Sequence, residues 1–129
     1  MHIHKVIPAE KPGLVYWFHG NSGSGKSHLA IHYNKPNKVI LDADDMREVW
    51  TDLGFSKKDR WEQNLRLARM AKILMIQGFN VAIASICPYK KLRKEINQIL
   101  PVRWVYVNAP ETKKSTKEFP FEEGGWGER

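Results

Sequence analysis

The chain carries a single cysteine, Cys87, and its apolar residues come in short clusters such as Leu14–Phe18. One cysteine excludes an intramolecular disulfide and fits a reducing compartment, so a cytoplasmic setting is expected. A membrane-spanning helix needs ~20 consecutive apolar residues, and no segment approaches that. The opening MHIHKVIPAEKPG lacks an apolar core and a small-residue cleavage site, so no secretory leader is expected. Acidic residues are outnumbered: 14 Asp and Glu stand against 21 Lys and Arg, a net charge of +7 that favours an anionic partner. The basic residues are spread along the chain, with Lys pairs at 57, 90 and 113 and no basic tail. That distribution suits a small anionic substrate as well as a nucleic acid, and charge alone leaves the two open. His2 and His4 are too few for a metal site. There is no internal repeat. With 42% hydrophobic and 27% charged residues among 129, the chain is too apolar for general disorder and has the length of one domain.

Apolar clusters alternate with helix-compatible segments. LVYWFH (14–19), KVIL (38–41), NVAIAS (80–85) and RWVYV (103–107) read as strands buried on both faces. Between them, KSHLAIHY is helix-compatible until the breaker AsnLysProAsn, and residues 44–50 form a short helix. Residues 57–77 are a long amphipathic helix, with Trp61, Leu65, Ala68, Ala71 and Met75 on one stripe. Its wetter sides carry Arg60, Gln63, Arg66, Arg69 and Gln77, and Gly78 ends it. Pro88 opens a helix through Leu100, whose lysines read as a solvated face. Strands alternating with helices imply right-handed crossovers and a mainly parallel sheet of about four strands in a three-layer α/β/α arrangement. One domain is expected over 1–129, with an N-terminal arm at 1–13 and an irregular tail at 112–129. Trp17, Trp61 and Trp104 belong in the core, whereas Trp50 and Trp126 are free to stack on a base.

The segment Gly20-Asn21-Ser22-Gly23-Ser24-Gly25-Lys26-Ser27 satisfies G-x-x-x-x-G-K-[ST] at every fixed position and lies between a buried strand and a helix. Glycines let successive N–H groups turn inward around a polyphosphate, and the following helix presents its positive end. In such a P-loop, Lys26 reaches the terminal phosphates of ATP and the Ser27 hydroxyl ligates Mg²⁺. A chance glycine-serine turn would not come with that strand–loop–helix context.

The second strand ends in LeuAspAlaAspAspMetArg, at the sheet end where ligands of parallel sheets bind. Asp42, at the strand end nearer the cradle, is expected to serve Mg²⁺. Asp44, on the helical face of Arg47, is expected to take the proton of an attacking hydroxyl, and Arg47 to grip an anionic acceptor. The competing reading is a capping aspartate followed by a solvated helix. Cys87 has no partner suggesting a nucleophile and is expected to be a small buried filler.

In this arrangement the chain resembles the adenylylsulfate kinase family, P-loop enzymes that phosphorylate the ribose 3′-hydroxyl of adenosine 5′-phosphosulfate with ATP. GNSGSGKSHLA resembles the family's phosphate loop and LDADDMR its LDGDNVR segment. LGFSKKDRWEQNLR (53–66) resembles LGFS-x-x-DR-x-EN-x-RR, and ICPY (86–89) resembles ISPY. The similarity covers roughly residues 14–110. It implies Lys26 and Asp44 in catalysis, and Arg47 and Arg60 on the phosphosulfate. It also implies an acceptor pocket that includes Phe55, Gln63, Asn64 and the stretch Ile86, Cys87, Pro88 and Tyr89. The family's acceptor-contacting Asn falls on Gln63, with Asn64 one place later. Other departures are Ala43 for glycine, Leu65 for arginine and Cys87 for serine. After VYVNAPE the family continues into an arginine-bearing helix and a lid, whereas this chain passes to FPFEEG, so a short form without the lid is expected. Two alternatives stay open: a kinase acting on a nucleic-acid end or modified nucleobase, and a nucleotide-binding module without catalysis. A homodimer is compatible with all three, and no membrane partner is expected.

Overall fold

The computed structural model describes residues 9–20 and 25–107. The order is β1 (Val15–His19), α1 (Lys26–His32), β2 (Lys38–Asp42), α2 (Ala43–Met46), α3 (Lys57–Ile76), β3 (Asn80–Ala84), α4 (Lys90–Ile99) and β4 (Arg103–Tyr106). The strands form one sheet in the order β2-β3-β1-β4, and every pairing is parallel. Register places Trp17 opposite both Ile83 and Trp104, and Leu41 opposite Ile83.

Alternation along the strands divides the core in two. Val15, Trp17, Val81 and Ile83 face α3 and α4, where they meet Leu67, Ala71, Leu92 and Ile96. Phe18, Ala82 and Ala84 point to the other side and pack with Ala30 of α1. This is the expected α/β/α arrangement. Burial on both faces holds for the central strands β1 and β3 but not for the edges. α1 has seven residues and covers β1 and β3, which leaves Ile40 of β2 exposed, while β4 is partly buried. Of the tryptophans expected in the core, Trp17 is fully buried, whereas Trp61 and Trp104 pack against the core while remaining partly exposed, as does Trp50.

The long helix begins where Ser56 caps it: its hydroxyl accepts the Asp59 N–H at 3.1 Å. It ends at Gly78, whose φ of 94° lies in the left-handed region that favours glycine. Gln63 departs from the amphipathic reading, and its neighbour Asn64 is buried with it. Gln63 and Asn64 are buried at 4% and 2% exposure, because the first turns of α3 face α2 and the strand ends instead of solvent. α2 is also shorter than expected. It closes at Met46 and continues as turns, with Glu48 and Val49 N–H groups bonding to the Asp45 and Met46 carbonyls.

α4 starts at Lys90 after Tyr89, two residues later than Pro88 suggested. Lys90, Lys91 and Lys94 are exposed as expected, but Arg93 is fully buried, because it shares the sheet-facing side with Leu92 and Ile96. Among the described residues, no helix is long and apolar enough to cross a membrane. The tail at 112–129, Trp126 and most of the arm at 1–13 lie outside the described residues.

Candidate active site

Gly20 leaves β1 with φ 147°, and Gly25 precedes α1 with φ 96°. A side chain at Gly25 would meet none of the described residues, and its φ lies in the left-handed region that favours glycine. Asn21, Ser22, Gly23 and Ser24, the middle of the expected cradle, lie outside the described residues. Lys26 and Ser27 form the first turn of α1 and face the end of β2. The Ser27 hydroxyl donates to Asp42 Oδ2 at 2.6 Å, and Asp42 Oδ1 accepts the Asp44 N–H at 2.9 Å. Asp42 therefore meets the cradle residue and caps α2 with its two oxygens. Burial holds the Lys26 ammonium below the usual lysine range, while Asp44 and then Asp42 pull it the other way.

These residues line one wall of a cleft at the C-terminal ends of β2 and β3. Arg47, Phe55, Arg60, Gln63 and Asn64 line it from the α2–α3 side, and Ala84 through Pro88 close it from β3. Thus Asp44 and Arg47 from one segment and Arg60 from another share one cavity with Lys26 and Ser27.

The loop before α3 is locked by its own ends. Gly54 donates its N–H to Asp59 Oδ2 at 2.8 Å, and its carbonyl accepts from Arg47 Nη1 at 3.1 Å. The Arg47 guanidinium carbon lies 3.9 Å from the ring centre of Phe55, which is itself 67% exposed. Arg47 Nη2 donates to Gln63 Oε1 at 3.3 Å, and Gln63 Nε2 donates to the Ala43 carbonyl at 2.9 Å. By contrast, no side-chain hydrogen bond or ion pair holds Arg60 among the described residues.

Cys87 is fully buried at the cleft wall with φ 42°, and burial pushes its thiol well above the ordinary range, against the opposing pull of Arg93. A thiol so protonated is a filler and not a nucleophile. Its carbonyl accepts from Arg93 Nη1 at 2.7 Å, which pins the turn. Tyr89 is not part of the cleft wall. Its ring stacks on Trp61 at 5.6 Å, because it precedes α4 on the side facing the start of α3. Sequence reasoning missed Ser85, which lines the cleft and donates to Asn64 Oδ1 at 2.5 Å, while Asn64 Nδ2 holds the Arg60 carbonyl at 2.8 Å. The available signal was a polar residue directly after the apolar strand VAIA.

Among the described residues, no group of three or more His, Cys, Asp or Glu side chains could hold a metal. The Ser27–Asp42 pair supplies two hard oxygen donors. That suits Mg²⁺, which takes one or two protein ligands and fills its shell with phosphates and water.

A parallel sheet with Gly20 leaving β1 and Gly25 entering Lys26 and Ser27 at positive φ, and an aspartate joined to that serine, defines a P-loop nucleotide-binding fold. The adenylylsulphate kinase family model matches residues 12–119, and the chain belongs to that family. An adenylyl-sulfate kinase from Pseudomonas aeruginosa is 33% identical over 115 residues, covering 81% of this chain and 58% of that protein. One from Paraburkholderia xenovorans is 37% identical over 107 residues, covering 76% and 60%. The APS kinase of Mycobacterium tuberculosis, solved in complex with AMPPNP and APS, superposes with a TM-score of 0.71 at 30% identity, over 79% of this chain and 66% of its own. The chain therefore spans about half the length of the curated relatives it matches, from 44% to 63%.

Proposed function

We propose that this chain is an ATP- and Mg²⁺-dependent kinase whose acceptor is the ribose 3′-hydroxyl of adenosine 5′-phosphosulfate. The observation that carries the reading is one cleft with Lys26, the Ser27–Asp42 pair and Asp44 on one wall and Arg47 and Arg60 on another. The family assignment and the M. tuberculosis complex support the choice of acceptor.

In this reading Lys26 meets the β- and γ-phosphates and offsets charge that spreads over the transferred group. Mg²⁺, held with Ser27 and Asp42, would neutralise phosphate charge. Asp44 accepts the hydroxyl proton as the acceptor oxygen bonds to the γ-phosphorus and the bond to the β–γ bridging oxygen breaks, releasing ADP. Arg47 and Arg60 bind the phosphosulfate anion and so orient the sugar.

The test is a transfer assay with γ-labelled ATP against adenosine 5′-phosphosulfate, other nucleosides, sugars and oligonucleotides. Label on adenosine 5′-phosphosulfate is expected. Label on oligonucleotides alone would replace the acceptor, and nucleotide binding without any transfer would leave a binding module.

A further inference from the structure

We propose that Gln63 is the positioning residue for Arg47, acting through that guanidinium and not by touching the acceptor. Gln63 is 4% exposed, and both ends of its amide are engaged. The Ala43 carbonyl can only accept and Arg47 Nη2 can only donate, so the amide has one orientation that satisfies both. The side chain thereby ties the first residue of α2 to the arginine that follows its last turn.

Arg47 is consequently held at three places: Gln63, the Gly54 carbonyl and the face of Phe55. All three are uncharged, so they orient the guanidinium without neutralising it. Its Nε is buried with no hydrogen-bond partner among the described residues. Arg60, in the same cleft, has no comparable restraint among the described residues. An anion entering the cleft meets one cation already set in place, so less side-chain freedom is lost on binding. Removal of the Gln63 amide releases Arg47 on the α3 side and leaves the Ala43 carbonyl without its donor.

The kinetic arm of the test rests on the proposed kinase reading; the spectroscopic arm does not. Gln63→Met keeps length and burial but removes both hydrogen bonds. Hydrogen bonds to charged groups are worth enough that KM for adenosine 5′-phosphosulfate is expected to rise about 10-fold, with KM for ATP unchanged. In an Arg47→Ala background the same substitution is expected to change KM less than about 2-fold, because the two residues act as one unit. Independently of turnover, the Arg47 Nε–H resonance in ¹⁵N NMR, identified by its loss in Arg47→Lys, is expected to broaden or vanish in Gln63→Met. An unchanged resonance overturns the proposal, as do effects of the two substitutions that multiply. Should Gln63→Met fail to fold, Gln63→Asn, too short to bridge both partners, takes its place with the same expectations. If the wild-type chain transfers nothing to this acceptor, the kinase reading fails and the resonance still decides the role of Gln63.

Discussion

The Ser27 hydroxyl donates to Asp42 Oδ2 at 2.6 Å across 15 positions of sequence, and this bond joins the first turn of α1 to the end of β2. The other oxygen of Asp42 caps α2. Asp42→Asn can keep that cap through its amide oxygen while losing the charge, so metal dependence is expected to change more than stability. Ser27→Ala and Asp42→Asn should each raise the Mg²⁺ concentration for half-maximal nucleotide binding about 10-fold. A titration of a fluorescent ATP analogue with Mg²⁺ measures this, and curves that overlay wild type would remove the pair from the metal site.

Asp44 is exposed at the cleft and contributes only its backbone N–H to the Asp42 cap. Asp44→Asn preserves shape and that N–H but cannot take a proton. A loss of about 10²–10⁴-fold in the transfer rate is expected, with ATP affinity nearly unchanged. Rapid-quench measurement at saturating substrates separates the two quantities. Weakened ATP binding at an intact rate would move Asp44 to the nucleotide side.

Lys26 titrates below the ordinary lysine range because it is buried, with Asp44 and Asp42 only partly opposing that effect. Phosphate favours the charged ammonium, so ATP binding at alkaline pH should take up protons, and affinity should fall as pH rises toward the ordinary lysine value. Calorimetry in two buffers of different ionisation heat reads the proton uptake. Lys26→Arg stays charged throughout, and its affinity should vary less over the same range.

His19, at the end of β1, is fully buried, and its pKa is lowered from 6.5 to about 3, first by burial and then by the nearby Arg93 charge. The unfolded chain binds a proton below about pH 6.5, while the native imidazole resists doing so until about pH 3. Stability from this residue is thus present above pH 6.5 and is lost as pH falls through that window, at up to about 1.4 kcal/mol per unit. Urea unfolding of wild type and His19→Phe from pH 7 to pH 4 should show the gap between them moving against wild type. Parallel curves would place the acid sensitivity elsewhere.

Much of this molecule is legible in local pattern. The strand positions, the long helix from Lys57 and the turn around Gly25 follow from features that act over a few residues: apolar clusters, a helical period, a serine cap and glycines at positive φ. The strand-to-helix junction after Leu41 is equally local, since Asp42 caps the helix that follows it by accepting the N–H two residues on. Other properties depended on contacts between distant segments. Gln63 reads as a wet-side residue by period, yet it is buried because the Ala43 carbonyl, 20 positions earlier, and Arg47 meet its amide. Ser85 and Asn64 find each other across 21 positions. Arg93 sits in a lysine-rich stretch and is buried through the Cys87 carbonyl and the sheet-facing side of α4, while Tyr89 turns from the cleft to stack on Trp61. Periodicity states which face of an element a residue occupies. What that face meets is set by the packing of elements far apart in the chain, and for polar side chains that neighbour decides between solvent and a buried hydrogen bond.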